Sequence, residues 1–174
     1  MSYAALIPFN EDGTQGEYIH FQNAWGGAVY IWMNMQHYLD WEGADWLLKW
    51  EHEGDEFWTL HERKDISDSD RICQAITYDG VYVLAKNGKR VADAMRKFVK
   101  RHPSKGVVHL DAIADAMDKV FKDGAFAVGF YHNSVSENPW YDYKEGRERH
   151  YIEGWEISEV VPDLFSLETR RQDV

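Results

Sequence analysis

Cysteine is nearly missing from this sequence. Cys73 stands alone among 174 residues, which excludes an internal disulfide framework and points to a reducing compartment. No stretch approaches the roughly 20 consecutive apolar residues of a membrane-spanning helix. No basic segment followed by an apolar run opens the chain, so no secretory leader is expected and the protein reads as cytoplasmic. Glycine-rich phosphate loops are also lacking. "KNGKR" at 86–90 has one glycine before a lysine, but neither the earlier glycine nor the Ser/Thr of a nucleotide-binding loop. No Gly-x-Gly-x-x-Gly opens a helix, which argues against a dinucleotide fold. No cofactor is expected.

Positive charge is scarce where negative charge is dense. Residues 1–70 hold fourteen acids against three bases, Lys49, Arg63 and Lys64, whereas residues 71–174 hold sixteen of each. The whole net charge of -11 therefore lies in the first two fifths of the chain. A domain so charged should avoid nucleic acid and attract basic protein surfaces. Aromatic residues are plentiful at 15%, and they serve a core or a recognition surface equally well.

The two properties meet in "WEGADWLLKWEHEGDEFWTLHER", Trp41 to Arg63, where four of the eight tryptophans are interleaved with seven carboxylates. Glu42, Asp45, Glu51, Glu53, Asp55, Glu56, Trp58 and Glu62 are the expected partner-binding residues. The acids would steer a cationic partner and the tryptophan would anchor it. Asp65, Asp68 and Asp70 extend the acidic run. Against this stands a plainer account, in which Trp46, Trp50 and Trp58 are core and the acids only keep the domain soluble.

Local patterning indicates one α+β domain over 1–174, with 166–174 a frayed tail. A mostly antiparallel sheet should pack against three to four helices. "YAALIPF" (3–9) and "EYIHF" (17–21) suit a hairpin. Asn23 is a fair N-cap for a helix over 24–39 with Trp25, Val29, Trp32, Met35 and Leu39 on its apolar stripe. The segments around Gly54-Asp55 alternate and suggest a second hairpin. Residues 66–86 support two readings: Ser67 with Asp70 makes an acidic capping box, while Asp79-Gly80 between β-formers signals a hairpin. Helices follow at 87–102, with Val91, Ala94, Met95 and Phe98 inward, and at 110–124, with Leu110, Ile113, Met117, Val120 and Phe121 inward. A buried strand (125–132), a polar aromatic loop (133–150) and a closing strand (151–161) complete the chain.

Three functions compete on these residues. The first is a small acidic inhibitor or binding protein that occupies a basic surface, of a nuclease or a nucleic-acid-binding complex for example. Immunity proteins and phage-type anti-defence inhibitors, some of them nucleic-acid mimics, share this profile as analogues in charge rather than relatives. A homodimer is also compatible with it. The second is a hydrolase or transferase built on His52, His61 and His132 with neighbouring carboxylates. "HEGDE" places Glu56 where a zinc protease needs its second histidine, so no metal site is expected there. The loop after the buried strand offers His132, Asn133, Ser134, Ser136 and Glu137, but no Gly-x-Ser-x-Gly elbow. These are also ordinary turn residues. The third is a nucleic-acid-binding accessory protein using the basic helix 87–102, which sits oddly on an acidic domain.

Overall fold

A computed structural model describes residues 3–40, 54–132 and 137–165. The N-terminal strand β1 (Tyr3–Phe9) pairs antiparallel with β2 (Ile19–Gln22) on one side and with β4 (Ala127–Tyr131) on the other. β3 (Val81–Leu84) pairs antiparallel with β4 and parallel with β7 (Trp155–Glu156), giving the sheet order β2-β1-β4-β3-β7. A second, two-stranded sheet joins β5 (Tyr141–Asp142) to β6 (Arg147–Glu148). The fold is a single compact α+β unit, as the alternation of strand and helix patterns predicts.

Because neighbouring residues of a strand point to opposite faces, the central strands β1, β3 and β4 each serve two cores. Leu6, Val81, Val83, Val128 and Phe130 face a helical layer of α1 (Ala28–Met35), α3 (Asp68–Ile76), α4 (Ala85–Arg101) and α5 (Leu110–Lys122). Val91, Ala94, Met95 and Phe98 of α4 are buried there, as their spacing predicts, and so are Leu110, Ile113 and Met117 of α5. Val120 and Phe121 are half-buried at its edge. Gly124, with φ of 101°, ends α5 in the left-handed conformation that glycine favours. Among the described residues no α-helix covers the reverse face. Ile7, Phe9, Tyr82 and Ala127 pack there against Trp140, which is 1% exposed and donates its indole N–H to the Phe130 carbonyl at 3.1 Å.

Three local expectations are revised, and one left open is settled. The helix expected over 24–39 is broken into a 3-10 turn (Ala24–Gly26), α1 and a second 3-10 turn (Gln36–Leu39), with Trp25 exposed rather than in the core stripe. Gly26 and Gly27 are the weak point, and Asn23 still caps, its Oδ1 accepting from the Trp25 amide. The second arm of the hairpin at Gly54-Asp55 is instead helical: residues 54–58 form α2, followed by a 3-10 turn, Leu60–Glu62. Phe57 and Leu60 are both fully buried, and this spacing of three demands a helix where simple alternation suggests a strand. The arm expected before Gly54 lies outside the described residues, as does the frayed tail.

In 66–86 the capping reading prevails. Ser67 accepts from the Asp70 amide and starts α3, and Gly80 turns the chain into β3 without a hairpin. The closing strand over 151–161 shrinks to β7, between a 3-10 turn (Tyr151–Glu153) and α6 (Ile157–Val160), with α7 (Pro162–Phe165) after it. The reason is Glu156, which is buried and caps α6. Its carboxylate accepts from the Ser158 amide at 2.5 Å, the Leu84 amide at 3.2 Å and the Asn87 side chain at 2.8 Å.

Gly129 admits the Trp140 indole onto the sheet, because a Cβ there would lie 2.6 Å from the ring. Gly129→Ala is expected to lower stability by about 2 kcal/mol, the usual cost of overpacking a rigid neighbour. Urea unfolding followed by circular dichroism measures it.

Candidate functional site

The expected partner-binding residues divide. Glu42, Asp45, Glu51 and Glu53 lie outside the described residues, as do His52 and 133–136 of the loop after β4. Asp55, Glu56, Trp58 and Glu62 fall on α2 and the 3-10 turn behind it, and all four are exposed. Phe57 and Leu60 bury the inner side of this stretch, so the residues between them face outward. Asp55 and Glu56 form no ion pair within 4 Å among the described residues, while Glu62 lies 3.8 Å from the His61 ring.

Other parts of the acidic run are already matched by the chain's own cations. Arg63 holds Asp65 through two hydrogen bonds, and Arg90 lies 4.0 Å from Asp68. Asp70 is fully buried, accepting from the Tyr38 hydroxyl at 2.6 Å and facing His102 at 2.9 Å and Arg101 at 3.4 Å. Despite the cost of burial, hydrogen bonds from His102 and Tyr38 keep its pKa below the usual carboxylate value. These three acids serve the fold, which corrects the expectation of one continuous acidic surface through to Asp70.

Two buried donors fix the carrier of the exposed acids. Arg71, 3% exposed, donates from Nε to the His61 carbonyl at 2.8 Å and grips Asp163 of α7 with both terminal nitrogens. Gln74 reaches the Phe57 carbonyl at 3.4 Å. Thus α3 holds the stretch 54–62 by its backbone and leaves its outer side chains clear.

Beside this stretch opens a cleft of about 540 Å³, lined by Trp32, Trp58, Thr77, Tyr78, Asp79, Tyr131 and His132. Trp32 comes from α1, Trp58 from α2, Thr77–Asp79 from the turn ending α3, and Tyr131 and His132 from the end of β4. Trp32 and Trp58 stand at 87° with centroids 5.7 Å apart, and Trp58 and Tyr78 at 71° and 5.6 Å. Hydrogen bonds lock these rings. The Trp32 indole N–H donates to the Thr77 hydroxyl at 2.9 Å, and the Tyr78 hydroxyl donates to the Trp58 carbonyl at 2.7 Å.

Both described histidines of the hydrolase reading are held neutral. Burial lowers the pKa of His61, whose Nδ1 lies 2.6 Å from the Tyr78 hydroxyl. Burial lowers His132 further, to about 4, and its Nε2 lies 2.5 Å from the Ile76 carbonyl, stacked against Phe130. No group of three or more His, Cys, Asp or Glu among the described residues is placed to hold a metal ion. Thr77, Tyr78 and Asp79 carry no sequence signal beyond the turn at Asp79-Gly80, and the helical spacing of Trp32 points to the core stripe rather than to a cleft.

The basic helix contributes a second concavity. Lys86, Lys89, Arg90, Lys97, Lys100 and Arg101 of α4 line a groove of about 860 Å³ with Ser67, Asp68 and Ser69 at the start of α3. Several of α4's charges are engaged locally. Lys89 pairs with Asp93 at 2.6 Å, and Arg96 bridges Asp115 and Asp118 of α5 at 2.8 and 2.7 Å. Among the described residues no helix is long and apolar enough to cross a membrane.

His132 makes stability depend on pH. The folded chain holds this imidazole neutral down to about 4, whereas the unfolded chain protonates it near 6.5. The unfolded state therefore binds more protons in that window, and stability should fall as pH drops through it. His132→Gln is expected to flatten the dependence by up to one proton, about 1.4 kcal/mol per pH unit. Urea midpoints of both proteins between pH 7 and pH 4.5 measure the difference.

No protein-family model, no curated protein and no solved structure matches the chain.

Proposed function

We propose that the chain is a small acidic binding protein of the cytoplasm that docks on a basic protein surface and blocks or modulates it. The observation that supports this most directly is the outer side of residues 54–62. Asp55, Glu56 and Glu62 are exposed there around Trp58, on a segment whose backbone is fastened from behind by Arg71 and Gln74. Like charges held together on a fixed support repel one another, and a cationic partner removes that cost. An exposed tryptophan bordered by charge is the usual anchor of such a contact. A nuclease or nucleic-acid-binding complex fits the required chemistry, and the mechanism is steric occupation.

Reversing Asp55, Glu56 and Glu62 to lysine together should slow association with captured partners about tenfold while leaving the folded state intact. Affinity capture with wild-type protein should enrich chains of pI above about 9, and raising salt should slow their association. Equal capture by the triple variant, or capture that ignores salt, overturns the proposal. A second copy of the chain as the captured species would replace the basic partner by a homodimer.

The groove along α4 favours one other reading, a polyanion held by Lys86, Lys97 and Lys100, which form no ion pair among the described residues. Replacing these three lysines by glutamine should then abolish retention on a nucleic-acid column at low salt, with a salt slope of about three released counterions. Passage of the wild-type protein through such a column unretained removes this reading.

A further inference from the structure

The cleft beside Trp58 has a chemistry of its own. Of the seven described residues that line it, only Asp79 carries a formal charge near neutral pH, since burial keeps His132 neutral. The Asp79 carboxylate makes no hydrogen bond or ion pair with any described residue, although it stays accessible to solvent. Desolvation alone raises its pKa, with no cation opposing the shift. Among the described residues every other carboxylate whose pKa departs from the ordinary value is lowered, each with hydrogen bonds to its oxygens: Asp12 by Thr14, Asp65 by Arg63, Asp70 by His102 and Tyr38, Asp123 by Lys119, Asp142 by backbone amides, Glu153 by Arg147 and Asp163 by Arg71. Asp79 is the exception among them, a solvent-exposed carboxylate that its described neighbours partly desolvate without supplying a counter-charge.

Apart from Thr77, the rest of the described wall is aromatic. Trp32, Trp58 and Tyr78 stand roughly perpendicular in succession, so the wall presents ring planes of different orientation, and Tyr131 adds a fourth ring. Such rings attract a cation placed over their faces, and tryptophan does so most strongly. The volume falls within the range of sites that bury a small ligand or a long side chain. An anion would meet Asp79 as a like charge. A purely apolar group would cover that carboxylate without pairing it, at a cost of several kcal/mol. A cation satisfies both features of the wall.

We infer that this cleft seats an arginine side chain of the basic partner, its guanidinium stacked on the tryptophan and tyrosine rings and its fork hydrogen-bonded to Asp79. The inference rests on the docking reading above and gives it a specific contact. Arginine is preferred over lysine because its planar, weakly hydrated head stacks on rings and matches a carboxylate with two donors. An ammonium group gives up more hydration to enter and offers no plane to stack. The acids on residues 55–62 border the same tryptophan, so a basic segment steered by Asp55, Glu56 and Glu62 arrives beside the cleft.

The test uses the full chain and three otherwise identical nine-residue peptides, carrying at the centre arginine, lysine or citrulline, the neutral isostere. Each is flanked by two further lysines, and binding is followed by tryptophan fluorescence and calorimetry. The arginine peptide is expected to bind saturably, at least tenfold tighter than the lysine peptide and with no measurable binding of the citrulline one. Asp79→Asn is expected to weaken the arginine peptide at least tenfold and to abolish its preference over lysine. Because Asp79 lies in an accessible turn, an unchanged melting curve accompanies that loss. Trp58→Leu should weaken arginine and lysine unequally, again with the larger loss for arginine.

Equal binding of the arginine and citrulline peptides overturns the inference, and so does equal binding of arginine and lysine. If the arginine peptide binds, weakens on reversal of Asp55, Glu56 and Glu62, and ignores Asp79→Asn, the cleft assignment fails while the docking reading stands. If neither cationic peptide binds, both fail.

Discussion

The arrangement depends on one buried guanidinium. Arg71 sits inside the helical layer with all three of its nitrogen atoms engaged, one on the His61 carbonyl and two on Asp163. A charge so enclosed is tolerated only when its donors are matched, and here the matching ties three distant stretches of chain together. The C-terminal helix α7, the core helix α3 and the outer segment 54–62 are held in one relation by a single side chain. Asp163 is drawn down to a pKa of about 2 by that contact and by Lys64, so the clamp stays charged across the physiological range. What faces solvent on 54–62 is thereby a consequence of what is buried beneath it.

The sheet shows a similar economy of means. Its helical face is covered mainly by α1, α3, α4 and α5, with α6 and α7 adding to the same core, but the opposite face is closed mainly by one indole over one glycine. Phe9 meets Trp140 edge-on at 5.1 Å, and Tyr151 packs on Phe9 and Tyr82. Much of the aromatic richness is thus accounted for by a core built from rings on the face that no described α-helix covers. Trp32, Trp58, Tyr78 and Tyr131 are a separate set, gathered at the ends of α3 and β4, where the two cores give way to the surface.

Most of the architecture was legible wherever one periodicity stood clear of the others. In α4 and α5 the apolar residues recur at three and four and the charges fill the gaps, so both helices and their buried faces could be read directly. The stretch "EFWTLHE" satisfies two periods at once: Phe57, Thr59 and His61 alternate, while Phe57 and Leu60 are one helical turn apart. The contacts that decide between them, from Arg71 and Gln74, come from ten to seventeen residues away, and no local pattern encodes them. The C-terminal turn is different, because a signal was present. Glu156 and Glu159 stand three apart, like His150 and Glu153, and both pairs cap helical turns. Their residue types fit a strand well enough to hide this. The cleft was illegible for a topological reason, since its walls come from four elements whose meeting follows only from the assembled sheet and helices.

The two outer strands of the sheet carry a consequence for recognition. β2 spans four residues and β7 only two before Glu156 turns the chain into a helix. Rims this brief give a visiting polypeptide too little exposed backbone to lengthen the sheet with a strand of its own. Among the described residues this disfavours strand addition and favours contacts made through side chains, by charge sign and ring geometry, and the same shortness disfavours edge-to-edge stacking of an aromatic-rich protein.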